Sequence, residues 1–324
     1  MSKRITVNEA AAMLKAADRI LILLHQYPDG DTIGSGFALC HALQALGKTA
    51  RVVCHDRIPD KYAYMVSVVP QPDFEPEFIC AVDVADSVLL GASLQCYAER
   101  VDLCIDHHAS HREYEKHLLL DAAMGANAMN VLLVIEAMGV TVDETIADCL
   151  YTGIATDTGC FKFSNTTPLA HRMAAQLMEA GAQAECINRT MFDIKSRARI
   201  QLEKMAMQSI TFYDSDRVAM MVVTADMVRE SGAAESDMEG LSPLTRQIEG
   251  VWVGVLLREK ADGGYKVSVR TGSQADASAI CKLLGGGGHV RAAGCSLSGT
   301  VQDAVDTLRD AIHRAVPRIT EVKA

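Results

Sequence analysis

The chain has 324 residues, which suits two domains better than one. Its apolar content of 49% and charged content of 22% are those of an ordinary globular protein and exclude a disordered chain. The formal net charge is −10, and no run of Lys or Arg occurs. Because proteins that bind long nucleic acids rely on cationic stripes, this charge argues against a long duplex as partner.

Hydropathy and cysteine content indicate the cellular compartment of the protein. No stretch reaches the roughly 18 consecutive apolar residues that a membrane span needs, and the start of the chain is polar rather than signal-like. The ten cysteines stand alone without a C-x-x-C pair, and most lie inside apolar runs. Such cysteines are typical of reduced, buried thiols, so we expect a cytoplasmic protein that does not contact membranes.

The first part of the chain alternates between short apolar runs and helical patterns. A capping box at 6–9 predicts a helix that ends near residue 17. Four apolar runs of strand length follow, at 20–24, 50–54, 78–82 and 101–105. The further helical patterns cover 34–46, 129–138, 143–153 and 168–181. Near-continuous apolar strands that alternate with helices predict an α/β fold with a largely parallel sheet flanked by helices.

The second part of the chain predicts a smaller α/β domain with a mixed sheet. Residues 188–213 look helical and are predicted to link the two domains. The strand candidates are 218–224, 251–259 and 265–270, with a hairpin turn at Asp262-Gly263-Gly264. The helix candidates are 277–284 and 301–316. We therefore predict a first domain at 1–187, a helical linker at 188–213 and a second domain at 214–324.

Aspartate and histidine side chains follow the predicted strands of the first part directly, and one more aspartate follows a predicted helix. They are His25, Asp29, Asp31, Asp83, the triplet Asp106-His107-His108, and Asp157. Binding sites of parallel sheets lie at the carboxyl ends of the strands. We therefore expect these side chains to converge at one edge of the sheet.

Carboxylate oxygens and imidazole nitrogens gathered in this way suit ions of the Mn²⁺ or Mg²⁺ class, which typically serve phosphoester hydrolysis in pairs. The predicted ligands are His25, Asp29, Asp31, Asp83, His107 and Asp157. They suffice for two ions, and Asp83 is well placed to bridge them. Gly30 is expected to allow a tight backbone turn between Asp29 and Asp31.

The triplet Asp106-His107-His108 is the most specific short motif of the chain. One of its histidines can bind a metal while the other contacts the phosphate or the nucleophilic water. His111 and His117 do not directly follow a predicted strand, and we predict that they are surface histidines.

A glycine run at 285–288 marks the second domain. Glycines leave backbone N–H groups uncovered, so that they can bind an anion, and nearby cationic side chains would add donors. The predicted anion-binding residues are Arg270, Gly286, Gly287, Gly288, His289 and Arg291. The run matches neither the Walker A motif nor the dinucleotide-binding fingerprint.

These motifs, in this order, resemble those of the DHH phosphoesterase superfamily, named after the triplet found here at 106–108. The run at 285–289 is similar to the GGGGH hallmark of the DHH-associated C-terminal domain. Length and domain content are most like the stand-alone nanoRNase (oligoribonuclease)/pAp phosphatase type. One stretch departs from the family: residues 125–130 read Gly-Ala-Asn-Ala-Met-Asn, where Ser/Thr hydroxyls followed by Glu are common.

The resemblance implies a DHH catalytic domain and a substrate-binding domain, with the active-site cleft between them. It implies hydrolysis of short oligonucleotides to mononucleotides, of 3′-phosphoadenosine 5′-phosphate (pAp) to AMP, or both, by a metal-bridged water. The implied cofactors are two divalent cations, Mn²⁺ first and Mg²⁺ or Co²⁺ as alternatives. The implied partners are short RNA or DNA oligonucleotides or a nucleotide bisphosphate, and a homodimer is compatible with the sequence.

The resemblance also assigns roles to residues. His25, Asp29 and Asp83 would hold one metal, and the second would be held by Asp31, Asp83, His107 and Asp157. Asp83, Asp106 and His108 would be catalytic, with His108 contacting the phosphate or the water. The glycine run, Arg270, His289 and Arg291 would bind the substrate from the second domain.

The sequence leaves several alternative functions open. A RecJ-like single-strand exonuclease is disfavoured by length and charge, and a manganese inorganic pyrophosphatase is disfavoured by the glycine run. A stand-alone phosphodiesterase acting on cyclic or linear dinucleotides remains an alternative. From a different class, the chain could be a nucleotide-binding protein that has lost catalysis, although every predicted metal ligand is present.

Overall fold

The computed structural model describes residues 2–238, 240–261 and 263–320. The chain divides into two compact units, the first ending at Ile194 and the second beginning at Lys195. The domain limits at 187 and 213 stay predictions, and Asp262 of the predicted hairpin turn lies outside the described residues. Among the described helices, none combines the length and the apolar character needed to cross a membrane.

Among the described residues, six strands form the sheet of the first unit. They are β1 (Lys3–Arg4), β2 (Ile20–Leu23), β3 (Ala50–Val53), β4 (Phe78–Val82), β5 (Leu103–Asp106) and β6 (His117–Leu120). The order across the sheet is β1-β6-β5-β4-β2-β3, and every neighbouring pair is parallel, which confirms the predicted sheet. The strand order reverses between β2 and β4, the point at which open α/β sheets bind ligands.

Seven α-helices lie in the described part of the first unit. They are α1 (Val7–Ala16), α2 (Gly30–Ala45), α3 (Ala63–Val66), α4 (Asn127–Met138), α5 (Glu144–Asp157), α6 (Pro168–Glu179) and α7 (Ala184–Asn188). Ile20 and Ile22 of β2 face the core that contains residues of α1, α2, α4 and α5. Leu21 and Leu23 face a second core, which 3₁₀-helical segments cover on the opposite side of the sheet. This alternation is what a strand buried on both faces requires.

Helix α2 begins one turn earlier than the sequence pattern indicated. Asp29 caps it, because its Oδ1 accepts hydrogen bonds from the amides of Asp31 and Thr32 at 3.0 and 3.1 Å. Gly30 is therefore the first helical residue, and the prediction that it forms a turn between Asp29 and Asp31 is wrong.

The glycines of α2 permit a close approach to α5. A Cβ atom at Gly30 would lie 2.3 Å from Oγ1 of Thr156, and a Cβ atom at Gly34 would lie 2.2 Å from the carbonyl oxygen of Cys149. Both distances are too short for real side chains. The packing of these two helices therefore places the start of α2 beside the end of α5, where Asp157 lies.

We predict that Gly34→Ala lowers the free energy of unfolding by about 1–3 kcal/mol, because the added methyl group meets fixed backbone. The matched control is Gly36→Ala on the same helix, where the added Cβ meets a movable methyl group of Leu24. Alanine also favours the helix by about 1 kcal/mol over glycine, so the control should change stability little. Denaturant unfolding of both variants checks this, and equal losses would contradict the packing argument.

The second unit has a mixed sheet, as predicted. Its strands are β7 (Thr211–Tyr213), β8 (Val218–Val223), β9 (Val253–Glu259), β10 (Tyr265–Thr271), β11 (Gly287–His289) and β12 (Ala292–Leu297). The order is β11-β12-β10-β9-β8-β7, and only β8 and β9 of the described neighbours are parallel. Its α-helices are α8 (Arg197–Gln208), α9 (Ala225–Ser231), α10 (Ala277–Lys282) and α11 (Val301–Ala315).

The segment predicted to be a helical linker is only partly helical. It contains a π-helix at Arg189–Asp193 and then α8, but Thr211–Tyr213 is the edge strand β7. The helical prediction is therefore wrong at its C-terminal end. This strand pairs with β8, which supplies the hydrogen bonds that a helix would otherwise provide.

Candidate metal centre

The aspartate and histidine side chains expected at one edge of the first sheet do converge there. His25 follows β2, Asp83 follows β4, and the triplet begins at the last residue of β5. Asp29 and Asp31 lie at the start of α2, and Asp157 is the last residue of α5. The structure thus brings together all six predicted ligands, although their roles stay predictions.

Three groups of three residues lie in this region. Within each group, the possible ligand atoms lie within 4.8 Å of one another. The groups are His25/Asp29/Asp83, Asp31/His107/Asp157 and Asp83/His107/His108. Asp83 belongs to two of these groups and lies near His107 of the third: its Oδ2 lies 3.8 Å from Nε2 of His25, and its Oδ1 lies 3.5 Å from Nε2 of His107. The two oxygens of one carboxylate therefore face two neighbouring groups of donors.

The position of Asp83 is energetically unfavourable for an ionised carboxylate. It is buried, it has a left-handed backbone with φ of 61°, and its Oδ1 has no hydrogen-bond partner among the described residues. Burial and the charge of Asp31 raise the pKa of Asp83 well above its ordinary value. A buried carboxylate without a partner is unfavourable unless a cation neutralises it. This oxygen therefore fits a bound metal ion.

The two histidines of the predicted ligand set are oriented in the way that metal-binding histidines usually are. Nδ1 of His25 lies 2.8 Å from the carbonyl oxygen of Gln26, and Nδ1 of His107 lies 3.1 Å from that of Met124. A carbonyl oxygen only accepts, so Nδ1 carries the hydrogen in both rings. Nε2 is then left to coordinate an ion among the carboxylates.

Asp31 is held by the start of α4. Its Oδ2 accepts from the amide of Asn127 at 2.5 Å, and its Oδ1 accepts from the amide of Ala128 at 2.8 Å. Helix α4 has no capping side chain of its own at Ala126. The carboxylate of Asp31 fills that role, since helix N-termini favour anions. The unusual stretch at 125–130 thus holds Asp31 through backbone N–H groups and needs no hydroxyl side chains to do so.

The carboxyl groups of the cluster differ in acidity. Burial and the charge of Asp157 raise the pKa of Asp31 to about 7. Burial and the charge of Asp29 raise the pKa of Asp157 to about 6. Burial also acts on Asp29, but the nearby ring of His25, whose Nε2 lies 3.7 Å from Oδ1, and hydrogen bonds from backbone amides outweigh it and lower the pKa of Asp29. Like charges so close together keep protons that a bound cation would replace.

The triplet continues into a buried interaction that the sequence pattern did not indicate. Nδ1 of His108 lies 2.8 Å from Oδ1 of Asp106, and Nδ1 of His111 lies 2.5 Å from Oδ2 of the same carboxylate. The side chain of His111 is fully buried, so its prediction as a surface histidine is wrong. His117 is half-buried on β6, with Nδ1 against the carbonyl oxygen of Asp102.

A separate cavity of about 700 Å³ lies within the second unit, beside the glycine run. Arg270, Gly287 and Gly288 line it, as do Lys260 and Lys266, which the sequence reasoning missed. The sequence of β10 does indicate Lys266, because alternate residues of a strand face the same side and Lys266 is four residues before Arg270. This cavity therefore combines cationic side chains with exposed backbone.

The remaining predicted anion-binding residues have mainly structural contacts. A Cβ atom at Gly286 would lie 2.2 Å from the carbonyl oxygen of Gly294, so this glycine permits close packing. Nη1 of Arg291 donates to the carbonyl oxygens of Gly272 and, at 3.0 Å, Ala275. His289 is exposed at the end of β11. The described lining of the cavity does not include these three predicted residues.

Comparison with known proteins decides the family. The model of the DHH family, N-terminal domain, matches residues 19–154, and that of the DHHA1 domain matches residues 217–316. The bifunctional oligoribonuclease and PAP phosphatase NrnA of Thermus thermophilus is 34% identical over 95% of this chain and 94% of its own length. This chain belongs to the DHH family.

Solved structures agree with the DHH-family fold. A crystal structure of an exopolyphosphatase-related protein from Bacteroides fragilis superposes with a TM-score of 0.87 at 23% identity, over 97% of each chain. RecJ from Thermus thermophilus in complex with Mn²⁺ gives a TM-score of 0.57 at 15% identity, over 96% of this chain and 55% of its own. At these identities both show the fold alone.

We predict that a fixed concentration of Mn²⁺ raises the Tm of this DHH-family protein more at about pH 7.5 than at about pH 5.5. The pKa values near 7 and 6 mean that Asp31 and Asp157 take up protons over this range, and these protons compete with the ion. Each tenfold loss of affinity costs about 1.4 kcal/mol of stabilisation, or a few degrees in Tm. Thermal unfolding with and without Mn²⁺ at both pH values measures the difference.

The matched control for this prediction is Asp143→Asn. Asp143 caps α5 and pairs with His41 outside the cluster, and asparagine caps helices equally well. Its Mn²⁺-induced shift should depend on pH as in the unaltered protein. An equal shift at both pH values in the unaltered protein would refute the coupling of protons to metal.

Proposed function

We propose that this protein is a dinuclear-metal phosphoesterase that hydrolyses short oligonucleotides to mononucleotides, pAp to AMP, or both. The observation that carries the proposal is the buried carboxylate of Asp83, whose two oxygens face two groups of histidine and aspartate donors. The names of the related NrnA proteins support the choice of substrates, because they describe a bifunctional oligoribonuclease and PAP phosphatase.

The first metal would be held by His25, Asp29 and Asp83, and the second by Asp31, Asp83, His107 and Asp157. When bound, two such ions activate a water for attack on phosphorus and neutralise the charge of the phosphate oxygens. Mn²⁺ is the first candidate, because mixed carboxylate and imidazole ligands suit it. Mg²⁺ and Co²⁺ are alternatives.

The protein's own residues prepare the site before a substrate arrives. Carbonyl oxygens fix the rings of His25 and His107, so that Nε2 of each faces the carboxylates. Asp106 accepts the Nδ1 hydrogen of His108, and this hydrogen bond raises the pKa of His108, so that the protonated ring can also donate from Nε2 to a phosphate oxygen or to the leaving group. The side chain of His108 is 42% exposed, in contrast to the fully buried Asp106, so it remains accessible to a substrate.

Arg270 and the glycines of the second unit would bind a substrate phosphate. Burial lowers the pKa of Arg270, and no carboxylate among the described residues forms an ion pair with it. A desolvated guanidinium without an anionic partner is a strong donor for phosphate. We assign weaker roles to His289 and Arg291, since Arg291 already donates to two backbone carbonyl oxygens.

The physical character of the chain supports short substrates and a reducing compartment. The net charge of −10 opposes binding of long polyanions. All ten cysteines are free thiols, which is the state expected in the cytoplasm. A homodimer stays a proposal that is compatible with the sequence, which is itself silent on the oligomeric state.

We predict that, with Mn²⁺, the protein hydrolyses pApA, five-residue RNA or pAp faster than cyclic di-AMP, pyrophosphate or long single-stranded DNA. Release of mononucleotide or phosphate, followed by chromatography, measures each rate. Preference for cyclic di-AMP would establish a cyclic-dinucleotide phosphodiesterase instead. Absence of hydrolysis across the panel, with Mn²⁺ bound, would establish the non-catalytic nucleotide-binding alternative.

The substitution Asp83→Asn should lower kcat at least about a thousandfold while the protein stays folded, because the amide removes the charge that the two ions would share. Asp86→Asn is the matched control, since Asp86 caps a short 3₁₀-helix three residues later and asparagine caps equally well. Steady-state kinetics with the best substrate of the panel and circular dichroism check both variants. Full activity of Asp83→Asn would overturn the bridging role.

The substitution Arg270→Ala should raise KM by about 10- to 100-fold with a smaller change in kcat, because one charge-assisted contact to the substrate is lost. Arg270→Lys should restore part of the affinity, since it keeps the charge without the planar fork. Arg314→Ala, on the exposed side of α11, is the control and should leave KM unchanged. An unchanged KM in Arg270→Ala for every substrate would remove this residue from the binding site.

A further inference from the structure

A buried chain of charged groups lies behind His108. Oδ1 of Asp106 lies 2.8 Å from Nδ1 of His108, and Oδ2 lies 2.5 Å from Nδ1 of His111. The other ring nitrogen of His111, Nε2, lies 3.2 Å from Oε2 of Glu115. The interactions therefore run from Glu115 through His111 and Asp106 to His108.

The contacts of His111 fix its charge. Both of its ring nitrogens face carboxylate oxygens, which accept hydrogen bonds and do not donate them when ionised. Both nitrogens therefore carry a hydrogen, and the ring is an imidazolium. Burial opposes this charge, but the hydrogen bonds to Asp106 and Glu115 outweigh it and raise the pKa of His111 to about 9. The imidazolium thus neutralises the buried carboxylates on either side of it.

The ring of His111 is also fixed in orientation. Its side chain is fully buried, and it stacks on Tyr114 with a centroid distance of 5.8 Å. The hydroxyl of Tyr114 in turn donates to the carbonyl oxygen of Val84 at 3.0 Å. The amide of His111 donates to the carbonyl oxygen of His108 at 3.0 Å, which closes the loop that carries the triplet.

We propose that His111 is a positioning residue for His108 and acts through Asp106. By binding Oδ2 of Asp106, it directs Oδ1 toward the ring of His108, whose Nδ1 donates to it. Nε2 of His108 is then the nitrogen left for the substrate, just as an aspartate sets the tautomer of the histidine in a catalytic triad. This inference rests on the proposed phosphoesterase function.

A metal site at the same place is the competing explanation. Cys104, His111 and Glu115 also lie within ligand distance of one another. However, burial raises the pKa of the Cys104 thiol well above its ordinary value, whereas metal binding requires a thiolate. The hydroxyl of Tyr114 lies 3.5 Å from this sulfur, and both nitrogens of His111 are already engaged. The contacts therefore favour a positioning role.

Two substitutions separate a positioning role from simple core packing. The amide nitrogen in His111→Asn lies where Nδ1 of histidine lies, so it can still donate to Asp106. The amide nitrogen in His111→Gln lies instead at the place of Nε2 and faces Glu115. We expect His111→Gln to lower kcat about 10- to 100-fold with KM nearly unchanged, and His111→Asn to recover part of that loss. Kinetics use the substrate that the unaltered protein hydrolyses fastest.

Two further readouts do not depend on turnover. In the metal-free, ¹⁵N-histidine-labelled protein, the hydrogen shared by His111 and Asp106 should give a strongly deshielded N–H resonance, which disappears in His111→Gln. Mn²⁺ stoichiometry, measured by calorimetry, should be the same in the unaltered protein and in both variants. Loss of one bound equivalent in His111→Gln would overturn the proposal in favour of a metal ligand.

His117→Gln is the matched control, because His117 is half-buried on β6 and its Nδ1 lies 3.0 Å from a backbone carbonyl oxygen, that of Asp102, away from the triplet. It should keep kcat and the deshielded resonance.

Equal kcat losses in His111→Asn and His111→Gln, or full activity in both, would overturn the positioning role. If neither variant folds, Glu115→Gln tests the proposal instead. We expect this variant to shift the resonance and to lower kcat. No change in either quantity would contradict the proposal. Failure of the unaltered protein to hydrolyse any substrate would instead count against the proposed function, and the resonance would still be informative.

Discussion

The structure depends on the cost of burying the carboxylate of Asp83 at the end of β4. This residue has a left-handed backbone, and Oδ1 of its side chain has no hydrogen-bond partner among the described residues. Carboxylates nearby add like charges, which raise its pKa further. An uncompensated buried charge costs several kcal/mol, so the arrangement is stable only when protons or cations neutralise it. The two groups of donors on either side of Asp83 are the means by which metal ions would do so.

The same interactions serve the fold and the candidate site. Asp29 caps α2 and faces His25, while Asp31 caps α4 and faces His107. The positions of Asp29 and Asp31 are therefore fixed by helix starts rather than by flexible loops, which limits the reorganisation needed when an ion binds. The close packing of α2 on α5, which Gly34 permits, adds Asp157 to the same cluster. Behind the triplet, the imidazolium of His111 compensates the buried charge of Asp106.

The sequence predicted the parallel sheet and the convergence of the six ligands, because strand ends of a parallel sheet share one edge and the motifs follow the strands. It missed features that depend on hydrogen bonds and strand pairing, which the pattern of apolar residues does not show. The start of α2 is set by the cap at Asp29. The polar two-residue strand β1 and the short strand β6 gain their hydrogen bonds from neighbours in the sheet. Burial of His111 depends on Asp106 and Glu115 together, and no local pattern encodes it. The glycine run looked like an open loop, but Gly287–His289 pairs with β12.

The most direct test of the two-cation centre is an anomalous difference map from crystals grown with Mn²⁺ near neutral pH. We expect two peaks, one beside each oxygen of Asp83, with Nε2 of His25 coordinating one ion and Nε2 of His107 the other. A single peak, or peaks that do not contact Asp83, would contradict a shared carboxylate and with it the proposed chemistry.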